Sequence, residues 1–338
     1  MNGSRGKTWG RRAFLAIQII ISGLLAWWIV RRPGFAESFA NAWQNIHPGW
    51  LVAGVLVAGA SIAAHIWRWW ICLRLLGITV RWTRLAGVFL ASTFIGTFVI
   101  GGLGGDAARV LMLTRQFPGN ASKLMVSVVA DRLCGLISLI IPALIFTLPA
   151  GAILSTTPVG KAAVHFLWGY LFFSSLLFAF CWFCGTEKAR LWLPKWAPAR
   201  DWMLHVSDCF EMLRPTGFRL FAAVGASILM VAFHFATFWC IAKGCGANVS
   251  LVEINTVMPV IDAATTVPAT PGGLGMREEL FVNQLGTLAG TPSGHAVLIS
   301  LAGFLCGLLW CIPGAMAAAS LLPKSIRNPE HASSGNAA

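Results

Sequence analysis

The chain has 338 residues, 57% of them apolar and 11% charged, with a formal net charge of +13 and a mean hydropathy of +0.73. Soluble domains carry roughly 25% charged residues, so this composition excludes an ordinary soluble protein. The basic excess does not point to nucleic acid, because the Lys and Arg residues sit in short loops between apolar runs. Membrane topology and attraction to anionic lipid account for them.

In chain order, apolar runs cover residues 13–30, 50–67, 125–148, 164–183, 220–241 and 296–322. Each is about the length that crosses ~30 Å of hydrocarbon. None alternates as barrel strands do, so the expected class is all-α, a polytopic membrane helical bundle. Arg11-Arg12 precede the first run, but it has no small-residue cleavage site and runs into Arg31-Arg32. It is read as a membrane helix rather than a removed signal. Residues 1–12 are then a cytoplasmic N-terminus, residues 13–322 a single membrane domain, and residues 328–338 a polar, disordered tail. Sixteen Trp against one Tyr fit an interfacial belt, with Trp27, Trp28, Trp67, Trp69, Trp70 and Trp82 near span ends. Cys181 and Cys184 form the one close cysteine pair, read as small apolar residues in a helix.

Nineteen of the 25 Lys and Arg residues fall into groups that the positive-inside rule assigns to the cytoplasm, with both termini inside. The loops around Arg68–Arg84 and Arg109–Lys123 both come out cytoplasmic, so the apolar stretch 85–103 enters and leaves on one side. Residues 251–291 do the same from the opposite face. Each stretch is expected to be a re-entrant hairpin lining a cavity, since non-helical backbone at membrane depth is tolerated only there.

The two hairpins share a core. Gly101-Gly102-Leu103-Gly104-Gly105-Asp106 aligns with Gly272-Gly273-Leu274-Gly275-Met276-Arg277 at an offset of 171 positions. Repeat one covers about 13–148 and repeat two about 164–322, each with three crossings and a hairpin. An odd number of crossings makes the repeat inverted, the arrangement that places a transporter-type site at the repeat interface.

The candidate binding residues cluster at these breaks. Residues 106–116 are expected to resume as a helix whose N-terminus faces the cavity, a setting that favours an anion such as phosphate. Gly101, Gly102, Gly104 and Gly105 would let the backbone approach a ligand, and Asp106 would cap the helix. Arg109 lies one turn on, near Asp106. The second break contains Pro268, Pro271, Gly272, Gly273 and Gly275, followed by Arg277 and Glu278. A cation at a helix N-terminus opposes the dipole, so Arg277 calls for a specific partner. Asp131 and Arg132 lie within a span, where charges face a bundle interior or cavity; Asp131 is expected to pair with Arg109, and Arg132 with Asp106 or a bound phosphate. His234, mid-span, is either a proton relay or a helix–helix hydrogen-bonding group. His65 and Arg68 are read as snorkelling or interfacial groups. No zinc, nucleotide or nucleophile motif occurs, so neither an enzyme nor a cofactor is expected.

Gly104-Gly105-Asp106-Ala107-Ala108-Arg109, then Asp131-Arg132-Leu133-Cys134-Gly135, then Pro271-Gly272-Gly273-Leu274-Gly275-Met276-Arg277-Glu278 resemble the flippase-like membrane family of the lysylphosphatidylglycerol synthase transmembrane region, over roughly 13–322. The resemblance implies movement of lipid between leaflets by a stand-alone member lacking the synthase domain. Phe98-Val99-Ile100 departs from the family's pattern, which commonly has a proline there. Together these features lead us to expect an integral translocase of a bacterial inner membrane, holding an anionic or phosphate-bearing lipid headgroup between the hairpins. Membrane lipids and a lipid-synthesis enzyme are the expected partners. The alternatives are a membrane-embedded lipid-modifying transferase and a non-catalytic subunit of an envelope-lipid pathway.

Overall fold

The computed structural model describes residues 3–97, 102–184, 186, 204, 207–208, 211, 217–267 and 269–321. Gly101, Pro268, the 98–100 segment, most of the loop after residue 186 and the tail 328–338 lie outside these, as do the side chains of Cys181 and Cys184. Among the described residues the regular structure is entirely helical. The helices are α1 (Gly3–Val30), α2 (Phe35–Gln44), α3 (Pro48–Leu75), α4 (Trp82–Ile95), α5 (Gly102–Thr114), α6 (Ala121–Pro142), α7 (Leu148–Leu154), α8 (Pro158–Cys184), α9 (Gly217–Gly244), α10 (Leu251–Thr265), α11 (Met276–Ala289) and α12 (Ser293–Leu321).

All six apolar runs are helices over their described residues. Among the described residues, five helices are long and apolar enough to cross a membrane, and six if the pair α1–α2, bent by 87°, counts as one span. Their outer faces carry large exposed apolar side chains such as Ile19, Phe172, Phe173, Phe180 and Met316. That is the reverse of a water-facing surface, where contiguous apolar area is kept small. Pro142 ends the regular part of α6; it has no N–H to donate, and the chain continues as a π-helical turn, Ala143–Thr147, into α7. The Thr147 hydroxyl donates to the Thr256 carbonyl at 2.8 Å.

The chain divides into two compact units, each drawing on both halves of the sequence. One unit comprises residues 62–135, 176–227 and 308–338. Its core contains Trp69, Leu73, Leu76, Leu85, Val88, Phe89 and Leu113, all buried. Here α4 and α5 form a helix–break–helix hairpin whose arms pack together. A methyl group on Gly105 would lie 2.7 Å from the Ser92 carbonyl oxygen and 3.2 Å from the Gly96 Cα, so hydrogen is the one side chain that lets the arms meet. Trp69, expected in the interfacial belt, is instead fully buried; its indole N–H donates to Ser127 at 3.3 Å, which is how a Trp enters a core.

The other unit comprises residues 1–61, 136–175 and 228–307. Its hairpin pairs α10 with α11, and its core includes Val257, Ile261, Phe281, Leu285 and Ile299. A capping box starts α10: Glu253 N–H donates to the Ser250 hydroxyl at 3.2 Å and Ser250 N–H to the Glu253 carboxylate at 2.7 Å. The break before α11 takes a single 3-10 turn, Pro271–Gly273, and needs left-handed backbone at Gly272 (φ 61°), Gly273 (φ 76°) and Gly275 (φ 88°). Only glycine adopts such angles without strain.

Candidate functional site

In the unit that holds the first hairpin, charge gathers around Asp131, which is completely buried on α6. Leaving a carboxylate there alone would cost several kcal/mol, and two arginines compensate it. Arg68 Nε donates to one oxygen at 2.6 Å, and Arg109 Nη1 donates to the other at 3.4 Å. His65 Nε2 lies 3.3 Å from that second oxygen, but it also lies 2.6 Å from Arg68 Nη2. A guanidinium has no acceptor, so the imidazole nitrogen must accept. This places the ring hydrogen on Nδ1 and leaves His65 neutral.

Arg109 is 5% exposed. Its Nε donates to Ser92 at 3.0 Å, its Nη1 is 3.8 Å from Asp106, and the Phe89 ring lies 4.3 Å from its guanidinium carbon. Asp106 accepts from Arg132 Nε at 2.8 Å, and the Arg132 side chain is 55% exposed. Both expected pairs, Asp131 with Arg109 and Arg132 with Asp106, are therefore present. Three arginines face two carboxylates and a neutral histidine, which leaves one positive charge in excess, carried outward by Arg132.

The sequence reading missed Arg68, His65 and Ser92. Arg68 does not snorkel; it is 2% exposed, because α3 runs on to Leu75 and so holds it a full two turns inside the helix end. The signal available was the i,i+3 spacing of His65 and Arg68, which puts both on one helix face of a span that must meet a buried Asp. The first Gly-rich segment also differs from expectation. Gly102, Gly104 and Gly105 are helical, so α5 starts four residues earlier than Asp106. Asp106 is then past the first turn and serves Arg132 instead of a cap. Gly105 acts through close packing, and none of Gly102, Gly104 and Gly105 takes a left-handed conformation.

In the other unit the second hairpin builds a comparable group. Arg277, on the first turn of α11, donates through Nε to Ser300 at 2.9 Å and through Nη2 to Glu278 at 3.2 Å, with the Phe304 ring 4.8 Å from its guanidinium carbon. Glu278 also accepts from the Ser300 hydroxyl at 2.6 Å and from Gly275 N–H at the helix start. These contacts supply the partner that a cation at a helix N-terminus requires. The neighbouring Glu279 pairs with Arg32; burial raises its carboxyl above the ordinary range, and Arg32 opposes that rise. The Thr270 hydroxyl in the break is 3% exposed and has no partner among the described residues. Ser22 of α1 donates to the Leu274 carbonyl at 3.0 Å and so steadies the turn.

The two arginines share a setting, each with a serine on Nε, a carboxylate on Nη and a phenylalanine face. They are not equivalent by sequence offset, since the 171-residue shift carries Asp106 to Arg277 and Arg109 to Leu280. Ser92 lies before the first break and Ser300 after the second. The same chemistry is reached from different positions.

His234 of α9 is a further ionisable side chain within a span. Its Nε2 lies 3.3 Å from Asp262 of α10, with side chains 40% and 29% exposed. The sequence alone does not point to Asp262, and the contact fits either role expected of His234, relay or structural hydrogen bond.

A comparison with curated proteins finds none that matches this chain. The sequence profile described as the lysylphosphatidylglycerol synthase TM region matches residues 15–314, which covers both hairpins and every candidate residue named above. The apolar helices and this match make the protein a multi-pass membrane protein, and the chain belongs to the lysylphosphatidylglycerol synthase transmembrane region family.

Proposed function

We propose that the protein is a lipid translocase that recognises an anionic, phosphate-bearing headgroup. The observation that carries this reading is the charge excess around Asp131. Arg68 and Arg109 neutralise the buried carboxylate, and Arg132 is fixed by Asp106 while 55% of its side chain stays exposed. A guanidinium held on one edge by a carboxylate offers its remaining N–H groups as a fork to a phosphate. One surplus positive charge suits one phosphodiester.

Arg277 supports the same reading from the second hairpin. It has a phenylalanine face, and the break that precedes it in sequence holds the buried Thr270 hydroxyl, which can donate to a phosphate oxygen. The two hairpins are taken as re-entrant segments of an inverted repeat, and alternating access as movement of one repeat against the other. The distribution of Lys and Arg supports cytoplasmic termini, and a bacterial inner membrane is the setting taken with this reading. A lipid-synthesis enzyme is the partner that would supply the headgroup.

The test is transfer of labelled anionic phospholipid between leaflets of phosphatidylcholine vesicles holding the purified protein. Arg132→Ala and Arg277→Ala are each expected to lower the rate at least tenfold. Wild-type rates in both variants would refute the assignment.

A further inference from the structure

His234 is thirteen residues past the start and ten before the end of the span Phe221–Gly244, or about 15–20 Å of helix from either end at 1.5 Å per residue. An ionisable side chain at such depth is costly, and membrane proteins keep one there for ion, proton or substrate traffic. Its Nε2 is 3.3 Å from Asp262 Oδ1. An ionised carboxylate only accepts, so a neutral imidazole bonded to it carries its hydrogen on Nε2 and has Nδ1 available for a second proton. The pair is open on one side, at 40% and 29% side-chain exposure, while Phe238 stands edge-on to the ring at 5.3 Å.

Few charges surround the pair. On α9 itself the next is Lys243, at the helix end. From α10 come Asp262 and, at its far start, Glu253. From α11 comes Arg277, one turn before Phe281, whose ring stacks on Phe238 of α9 at 5.4 Å; Glu278 is engaged with Arg277 and Ser300, and Glu279 with Arg32. Helix α12 packs against α9 where Gly303 meets Phe238, and its described part has His295 near the start and no other acidic or basic side chain. Residues 48–61 of α3 have none.

With the imidazole neutral, Asp262 places an unbalanced negative charge in the neighbourhood of Arg277 and weakens its pull on an anion. A proton on Nδ1 cancels that charge. Anion binding must then favour protonation by the same factor, since coupling between two sites is reciprocal.

We propose that His234 and Asp262 form a proton-binding site coupled to anion engagement at Arg277, so that a proton travels with the anionic lipid. The proton joins Nδ1 from water on one face and leaves to water on the other, and no bond in the lipid is made or broken. This inference rests on the translocase reading of the same unit.

The experiment uses the purified full chain in phosphatidylcholine vesicles with a trace of short-chain labelled phosphatidylglycerol or phosphatidic acid. Lipid reaching the outer leaflet is followed by albumin extraction, with and without a pH difference of about two units, and a trapped dye reports proton entry. The expected result is a rate change on the order of tenfold in the direction of proton flow, with dye response only when lipid moves. His234→Gln and Asp262→Asn should each lose the response to the gradient. Wild-type movement that ignores the gradient overturns the coupling and leaves the translocase reading standing. A His234→Gln protein that still responds overturns His234 as the site. No movement of either lipid sinks the translocase reading and the coupling with it; the wild-type measurement decides even where a variant fails to fold.

Discussion

Asp131 accepts its shortest hydrogen bond, 2.6 Å, from Arg68, a residue 63 positions earlier, and a longer one, 3.4 Å, from Arg109. The carboxylate therefore ties α3 and α6 together first and the hairpin helix α5 second. The stability of this unit rests first on Arg68, and the proposed contact with an anion falls to the exposed Arg132.

Arg68→Ala is expected to destabilise the protein by about 3–5 kcal/mol, the usual cost of stripping one partner from a buried ion pair. Thermal unfolding in detergent measures it. Arg68→Ala combined with Asp131→Asn should recover part of the loss, because an amide tolerates burial better than a lone carboxylate. A double variant less stable than Arg68→Ala alone would disprove the pairing.

Arg132 makes the contrast. As an exposed ion pair with Asp106 it contributes about 1 kcal/mol or less to stability, so Arg132→Ala should unfold close to the wild-type temperature while losing lipid transfer. A large drop in unfolding temperature would make Arg132 a structural residue instead.

Gly105→Ala would press a methyl group against the Ser92 carbonyl and the Gly96 backbone, neither of which has a rotamer to give. A loss of about 1–3 kcal/mol is expected. Gly169→Ala, in the open part of α8 with nothing within 4 Å, should be neutral or stabilising by about 0.5–1 kcal/mol. Comparable unfolding temperatures for the two variants would contradict the close approach of α4 and α5.

Glu279 gives a pH dependence. Burial raises its carboxyl pKa, and Arg32 pulls it back. Arg32→Ala removes the pull, so the folded-state pKa rises further above the unfolded value of about 4.3. The unfolded chain then loses its proton first, and stability falls as pH rises from about 4.3 through the folded-state pKa. Unfolding temperatures of Arg32→Ala measured from pH 4 to 8 should decline relative to wild type; a constant difference would rule out Glu279 as the cause.

Much of the bundle was legible because a span has no choice but helix. The pairs Asp131–Arg109 and Arg132–Asp106 were legible for a related reason, since charges inside spans must find one another. Arg68 was hidden by its neighbours: Trp67, Trp69 and Trp70 resemble an interfacial collar, while α3 continues beyond them to Leu75. Ser92 and Ser300 were hidden because a serine in a membrane helix ordinarily bonds back to its own helix, as Ser174 and Ser175 do, and nothing local says which one also meets an arginine. The left-handed glycines of the second break could be read from two prolines and three glycines in a row of short spacing. The first break offered glycines alone, and those proved to be helical.

The link between Arg68 and Asp131 also orders the protein's assembly. Synthesis delivers α3 before α6, and α6 on its own would offer hydrocarbon an unpaired carboxylate at roughly 2.5–3.5 kcal/mol near mid-span. Insertion of α6 is therefore easier where α3 already waits beside it with Arg68 facing inward. The hairpin between them must stay sheltered during that interval, because Arg109 has no buried carboxylate to meet until residue 131 has arrived.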